Sequence, residues 1–142
     1  MKVLLKGMFV GLFVLALTAG CASVGSKVSY QDLIKDLVNQ LKVALENKDI
    51  DGIMNTFSDD FYHPEVGGKE EGKEMLQMAL DAGYADNGEV FVDDMEIELK
   101  DDGTATVYPI DLSADPGSIS IELLVKKEAA GWRILEVRPD GM

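Results

Sequence analysis

His63 is the only histidine in the 142-residue chain, and oxygen-bearing side chains crowd around it: Asp59, Asp60, Tyr62 and Glu65. A histidine titrates near neutrality, and a buried carboxylate can be tuned toward the same range, so these types suit general acid and base work. His63 or Asp60 would be the group that takes the proton. A single histidine excludes a histidine dyad and a two-histidine metal site. A plainer arrangement fits the same residues, with Asp59, Asp60 and Glu65 as solvated loop carboxylates and His63 in a turn before Pro64. Tyr84, Tyr108 and Trp132 each join a large apolar body to one polar handle. Each serves either as pocket lining or as core with its polar atom at the edge. Asp93, Asp94, Glu96 and Glu98 are dense enough to raise calcium. Calcium loops gather oxygens through a turn with a central glycine, whereas strand residues point to alternate faces, so no metal is expected. Neither is a cofactor: the chain has no glycine-rich phosphate loop, nucleophile elbow or zinc spacing.

The other reactive side chain is Cys21, the only cysteine, so no intramolecular disulfide forms. Its setting is informative. Lys2 and Lys6 make a short basic start, no acid precedes Asp32, and Gly7 to Leu17 is a run of eleven residues reading GMFVGLFVLAL. A membrane-spanning helix needs roughly 20 apolar residues. Basic start, short apolar run and then small residues is the order of a cleaved signal peptide. Thr18-Ala19-Gly20-Cys21 resembles the lipobox of bacterial lipoproteins, with Thr18 standing where that family favours leucine. The resemblance implies cleavage before Cys21, a diacylglycerol on its thiol and an acylated new amino terminus, palmitate among the usual chains. The membrane is then the first partner, reached through those acyl chains. An ordinary signal peptide with an incidental cysteine, or an uncleaved helix over residues 7–24, are the competing readings. Ala22 follows the cysteine where an aspartate often marks inner-membrane retention. The expected location is the periplasmic face of the outer membrane in a Gram-negative source, or the outer face of the cell membrane in a Gram-positive one.

Loss of residues 1–20 removes two lysines and no acid, taking the formal charge from −13 to −15. Such a charge repels phosphate backbones and excludes nucleic acid as a partner. Residues 21–28 read as the lipidated cysteine and a short tether, and residues 29–142 as one domain.

The elements that would position the candidate residues follow from periodicity. Ser29, with Asp32 three residues on, starts a first helix, and Leu33, Ile34, Leu37, Val38, Leu41, Ala44 and Leu45 recur at helical spacing. Asn47 and Asp49 end it. Ile50, Ile53, Met54 and Phe57 make a second helix. The stretch Ser58 to Gly68 is polar, and a third helix runs from Lys69 to about Ala82 with Met75, Leu76, Ala79 and Leu80 on its buried side. The period then changes to two. Met95, Ile97 and Leu99 form a half-buried strand, and Asp101-Asp102-Gly103 a hairpin turn. Thr104 to Leu112 is a second strand, less cleanly alternating. After Ala114-Asp115-Pro116-Gly117 comes a third, with Ile119, Ile121, Leu123 and Val125 on one side. Trp132 to Arg138 closes the chain; its apolar residues on both faces predict a central strand, covered on both sides. The layout is α+β, three helices packed on one face of about four antiparallel strands.

Three stretches resemble the NTF2-like superfamily, which includes SnoaL-like proteins and ketosteroid isomerases. They are Ala44 to Ile53, Phe57 to Glu71, and Gly131-Trp132-Arg133-Ile134. The resemblance implies a cone-shaped (cystatin-like) domain whose curved sheet wraps the helices around a pocket. Isomerases of this superfamily pair an aspartate base with a tyrosine and a second acid, and no residue set here aligns with that one. Fold does not settle function in such a group. The first expectation is a non-catalytic, lipid-anchored envelope protein binding a small apolar ligand or a protein partner. The second is a SnoaL- or isomerase-like enzyme using His63 or Asp60 as base. The third is a homodimer joined through the outer sheet face, against which Glu96, Glu98 and Glu122 count.

Overall fold

The computed structural model describes residues 28–140. The expected signal peptide, Cys21 and nearly all of the expected tether lie outside the described residues. Helix α1 (Tyr30–Glu46) begins where expected, the Ser29 hydroxyl accepting the Asp32 N–H at 3.1 Å. It buries Ile34, Leu37, Val38, Leu41 and Ala44, while Leu33 remains exposed. Helix α2 (Ile50–Met54) is capped by Asp49 and ends before Phe57. A two-residue hairpin follows, β1 (Tyr62–His63) with β2 (Gly67–Gly68), inside the stretch expected to be loop. Gly67 has φ +104, a conformation that favours glycine, and leads directly into α3 (Lys69–Asp81).

Five further strands build the sheet: β3 (Glu89–Phe91), β4 (Glu96–Leu99), β5 (Thr104–Ala114), β6 (Gly117–Glu128) and β7 (Gly131–Pro139). All pair antiparallel; β3 and β4 share one edge of β5, and β6 and β7 follow in order. The α+β layout is therefore as the periodicity implies, with β3 additional. Its short run Glu-Val-Phe offers too little alternation to be recognised. In the β4–β5 hairpin Gly103 takes φ +85, as the Asp-Asp-Gly turn requires.

Two β-bulges explain the strands whose patterns looked irregular. Between Val107 and Ile110 β5 carries one residue more than β6, and β7 carries an extra residue opposite Leu124–Val125. Each extra residue reverses the alternation, so Ala105, Val107 and then Ile110 all face the helices, as do Trp132, Ile134 and then Val137. β7 is consequently not a central strand covered on both faces. It is the last full strand, and its apolar residues change parity at the bulge. Strand β6 has no extra residue and alternates cleanly. Both bulges sit beside Glu122–Leu124, and a bulge bends its strand and raises the local twist.

The chain itself meets the sheet border at one residue of β7 and one of β3. On β7, Ser58 N–H donates to the Ile134 carbonyl and Ile134 N–H to the Thr56 carbonyl, each at 2.8 Å. On β3, Val90 N–H donates to Glu46 Oε2 at 3.0 Å, and its carbonyl accepts from Lys42, which also pairs with Glu46. Those contacts, the Val90 N–H foremost and then Lys42, hold the Glu46 carboxyl below its ordinary value of 4.5. A depressed carboxylate stabilises the fold above that value, and the contribution is lost as pH falls through the lowered one. Glu46→Gln is expected to reduce the melting temperature by about 4 °C at pH 7. That difference should close as both proteins are melted at successively lower pH below 4.5.

Candidate functional site

Helix α3 does not lie on the sheet. It has no buried residue, and Met75, expected on its buried side, is 48% exposed. The helix is instead pinned at both ends. At its start Lys69 donates to the Phe57 carbonyl at 3.2 Å and pairs with Asp59 at 3.0 Å, while Gly72 rests against the Phe61 ring. Phe61 in turn stacks edge-on with Phe57, centroids 4.9 Å apart. Past its end, the turn residue Asp86 pairs with Lys48, and its carbonyl accepts the Asp115 N–H at 3.0 Å. Held this way, α3 spans the open side of the curved sheet and leaves a gap beneath it.

The gap is an apolar cleft of two adjoining chambers that share Leu45, Leu76, Ala79 and Leu112. One, of about 330 Å³, lies toward the α2 end between Phe57, Phe61 and Val137. None of its lining residues carries a titratable or hydrogen-bonding side chain. The other, of about 380 Å³, lies beside the β5–β6 turn and takes in Tyr84, Glu89, Ser113, Ser118 and Ile119. Volumes of this order suit a small molecule.

Solved structures share this fold. A protein of unknown function with a cystatin-like fold from Nostoc punctiforme superposes with a TM-score of 0.63 at 18% identity, covering 80% of this chain and 93% of its own. An NTF2-like protein of unknown function from Shewanella oneidensis gives 0.62 at 18% identity, over 78% of this chain and 98% of that one. Another from Pseudomonas putida gives 0.66 at 12% identity, over 81% and 88%. The fold is NTF2-like. Identities this low speak to fold alone. No family model matches the chain, and no curated protein matches it.

Within the NTF2-like domain the candidate residues scatter. Tyr84 lines the chamber beside the β5–β6 turn, 65% exposed at its rim. The remaining candidates line neither chamber. Asp60 is an exposed carboxylate paired with Lys126 at 3.4 Å. Tyr62 is 60% exposed, and His63 Nδ1 accepts the Glu65 N–H at 3.2 Å within its own hairpin. Tyr108 stands on the outer sheet face and donates to Asp140 at 2.8 Å. That hydrogen bond and the neighbouring negative charge raise its pKa, away from the range useful to an acid at neutral pH. Trp132 is 5% exposed in the core beside Tyr30, centroids 5.7 Å apart, and its indole N–H has no partner among the described residues. Among the described residues no group of three or more metal-ligating side chains converges, and no helix is long and apolar enough to cross a membrane. Sequence reasoning missed the cleft's own residues except Tyr84. The available signal was the weak apolar side of α3, where Gly72 and Ala79 leave room rather than fill it.

Proposed function

We propose that this chain is a lipid-anchored envelope protein whose domain binds a small apolar ligand in the α3 cleft without transforming it. The observation that carries this reading is the chemistry of the Phe57–Phe61 chamber. A space lined only by aliphatic and aromatic carbon, thioether sulfur and glycine recognises apolar surface and has no group to move a proton. His63 and Asp60, the bases of the enzyme alternative, line neither chamber. The outer sheet face speaks against apolar dimerisation, since Arg138 pairs there with Glu122 at 3.1 Å and Glu136 at 2.7 Å. The lipobox-like Thr18 to Cys21 supports the anchor and the membrane as partner.

Native mass spectrometry of the protein purified from its own envelope should find an apolar small molecule bound. Ala79 borders both chambers, so Ala79→Phe should fill the junction. Binding of a fluorescent apolar probe is expected to weaken about tenfold, with the melting temperature within about 3 °C of the parent. Unchanged probe binding in that variant would sink the cleft as the site.

A further inference from the structure

The cleft runs along α3, and its two ends differ chemically. The helix borders it from Gly72 to Leu80, about 12 Å at 1.5 Å per residue. Opposite, β6 borders it from Ile119 through Ile121 to Leu123, about 13 Å at 3.3 Å per residue. A compact ring system would fill one chamber and leave the other without ligand. A flexible chain follows both and buries more apolar surface. At the α2 end every lining side chain is apolar, so a polar head there would lose water without replacement. At the β5–β6 turn end the Tyr84 hydroxyl stands at an exposed rim. Glu89, Ser113 and Ser118 border that end by backbone, since they align across the strands on the face opposite Val90, Leu112 and Ile119. Among the described residues Glu89 is the only charged one along either chamber. No charge is therefore aimed into the cleft to select a head group.

We propose that the ligand is a free single-chain amphiphile, selected by the length of its tail rather than by its head group. The tail ends in the Phe57–Phe61 chamber and the head stays in water beside Tyr84. The inference rests on the reading of the cleft as a binding site and adds ligand class and orientation to it. The protein's own acyl group is the less favoured occupant. The described chain begins at Val28, by the first turn of α1, whereas the turn end of the cleft adjoins its last turn at Leu45. Helix α1, of 17 residues, is about 25 Å long. Residues 21–28 reach about 28 Å only at full stretch, and a free amphiphile has no such constraint.

The test titrates the chain from residue 21 onward, as Cys21→Ala, with hexyl, octyl, decyl and dodecyl maltosides below their micelle thresholds. Calorimetry should show affinity rising up to about fourfold for each methylene that enters the cleft, then levelling off. Val66 and Met75 line the Phe57–Phe61 chamber alone, so Val66→Phe or Met75→Phe should bring the levelling at a shorter tail. A maltoside with a photoreactive diazirine at its tail tip should label that chamber, and one with the diazirine beside the head should label Tyr84 or Ala85. The reverse labelling would overturn the orientation. Tighter binding of a rigid fused-ring probe such as pyrene, or no shortening in either variant, would overturn the single-chain class while leaving the cleft standing. In vesicles the acylated protein should be labelled like Cys21→Ala. Loss of labelling in the acylated protein alone would assign the cleft to its own acyl chain and overturn the free ligand. Binding of no probe, or binding unaffected by Ala79→Phe, would overturn the cleft reading and this inference with it.

Discussion

Cys21→Ala is expected to abolish palmitate incorporation and to leave the protein either in the soluble fraction or as a precursor still carrying residues 1–20. Each buried methylene contributes about 0.8 kcal/mol, so one acyl chain holds marginally and two or three hold firmly. Removing the thiol removes the first attachment, and in lipoproteins cleavage awaits that attachment. No helix among the described residues is long and apolar enough to replace the anchor by crossing the bilayer. Metabolic labelling with palmitate, fractionation and the intact mass read the outcome together. Membrane association that persists at the parent mass, with no label in either protein, would instead favour an uncleaved helix over residues 7–24.

Ile134→Ala is expected to cost about 3 kcal/mol of stability, because a fully buried isoleucine is lost from a core that collapses only partly around the space. Its backbone carries both hydrogen bonds to Thr56 and Ser58, and its side chain lies in the core cluster with Val125, its partner across β6. For a domain of this length the loss should appear as a fall in melting temperature of about 12 °C or more. Leu76→Ala supplies the contrast. Leu76 is half-buried and borders both chambers, so its truncation should cost under about 1.5 kcal/mol yet weaken probe binding. If the two variants melt alike, the division between packed core and open cleft is mistaken.

The contrast also shows what the sequence could disclose. Helices α1 and α3 were legible because a 3.6-residue period runs through them uninterrupted. Strand β6 was legible because Ile121, Leu123 and Val125 keep strict alternation. Strands β5 and β7 were legible as strands but not as faces, since one inserted residue in each reverses the parity midway. No local pattern separates such a strand from one covered on both sides. The cleft was harder still. Its lining uses the same residue types as the core, and only the stand-off of α3, fixed by contacts of Lys69, Phe61 and Asp86 with distant segments, distinguishes them. His63 and its acidic neighbours drew attention by type, while their hairpin places them against solvent and backbone.

The contacts at Val90 of β3 and Ile134 of β7 bear on crowding. Proteins tethered to one bilayer leaflet meet in two dimensions, where encounters between like surfaces are frequent and partly oriented. A strand with unpaired amides and carbonyls would then serve as a template for its neighbour, chain upon chain. Here the Thr56–Ser58 segment occupies one border, and a lysine–glutamate pair from α1 occupies Val90 on the other. In the anchored state proposed above, a neighbouring domain would find the borders at Ile134 and Val90 already taken.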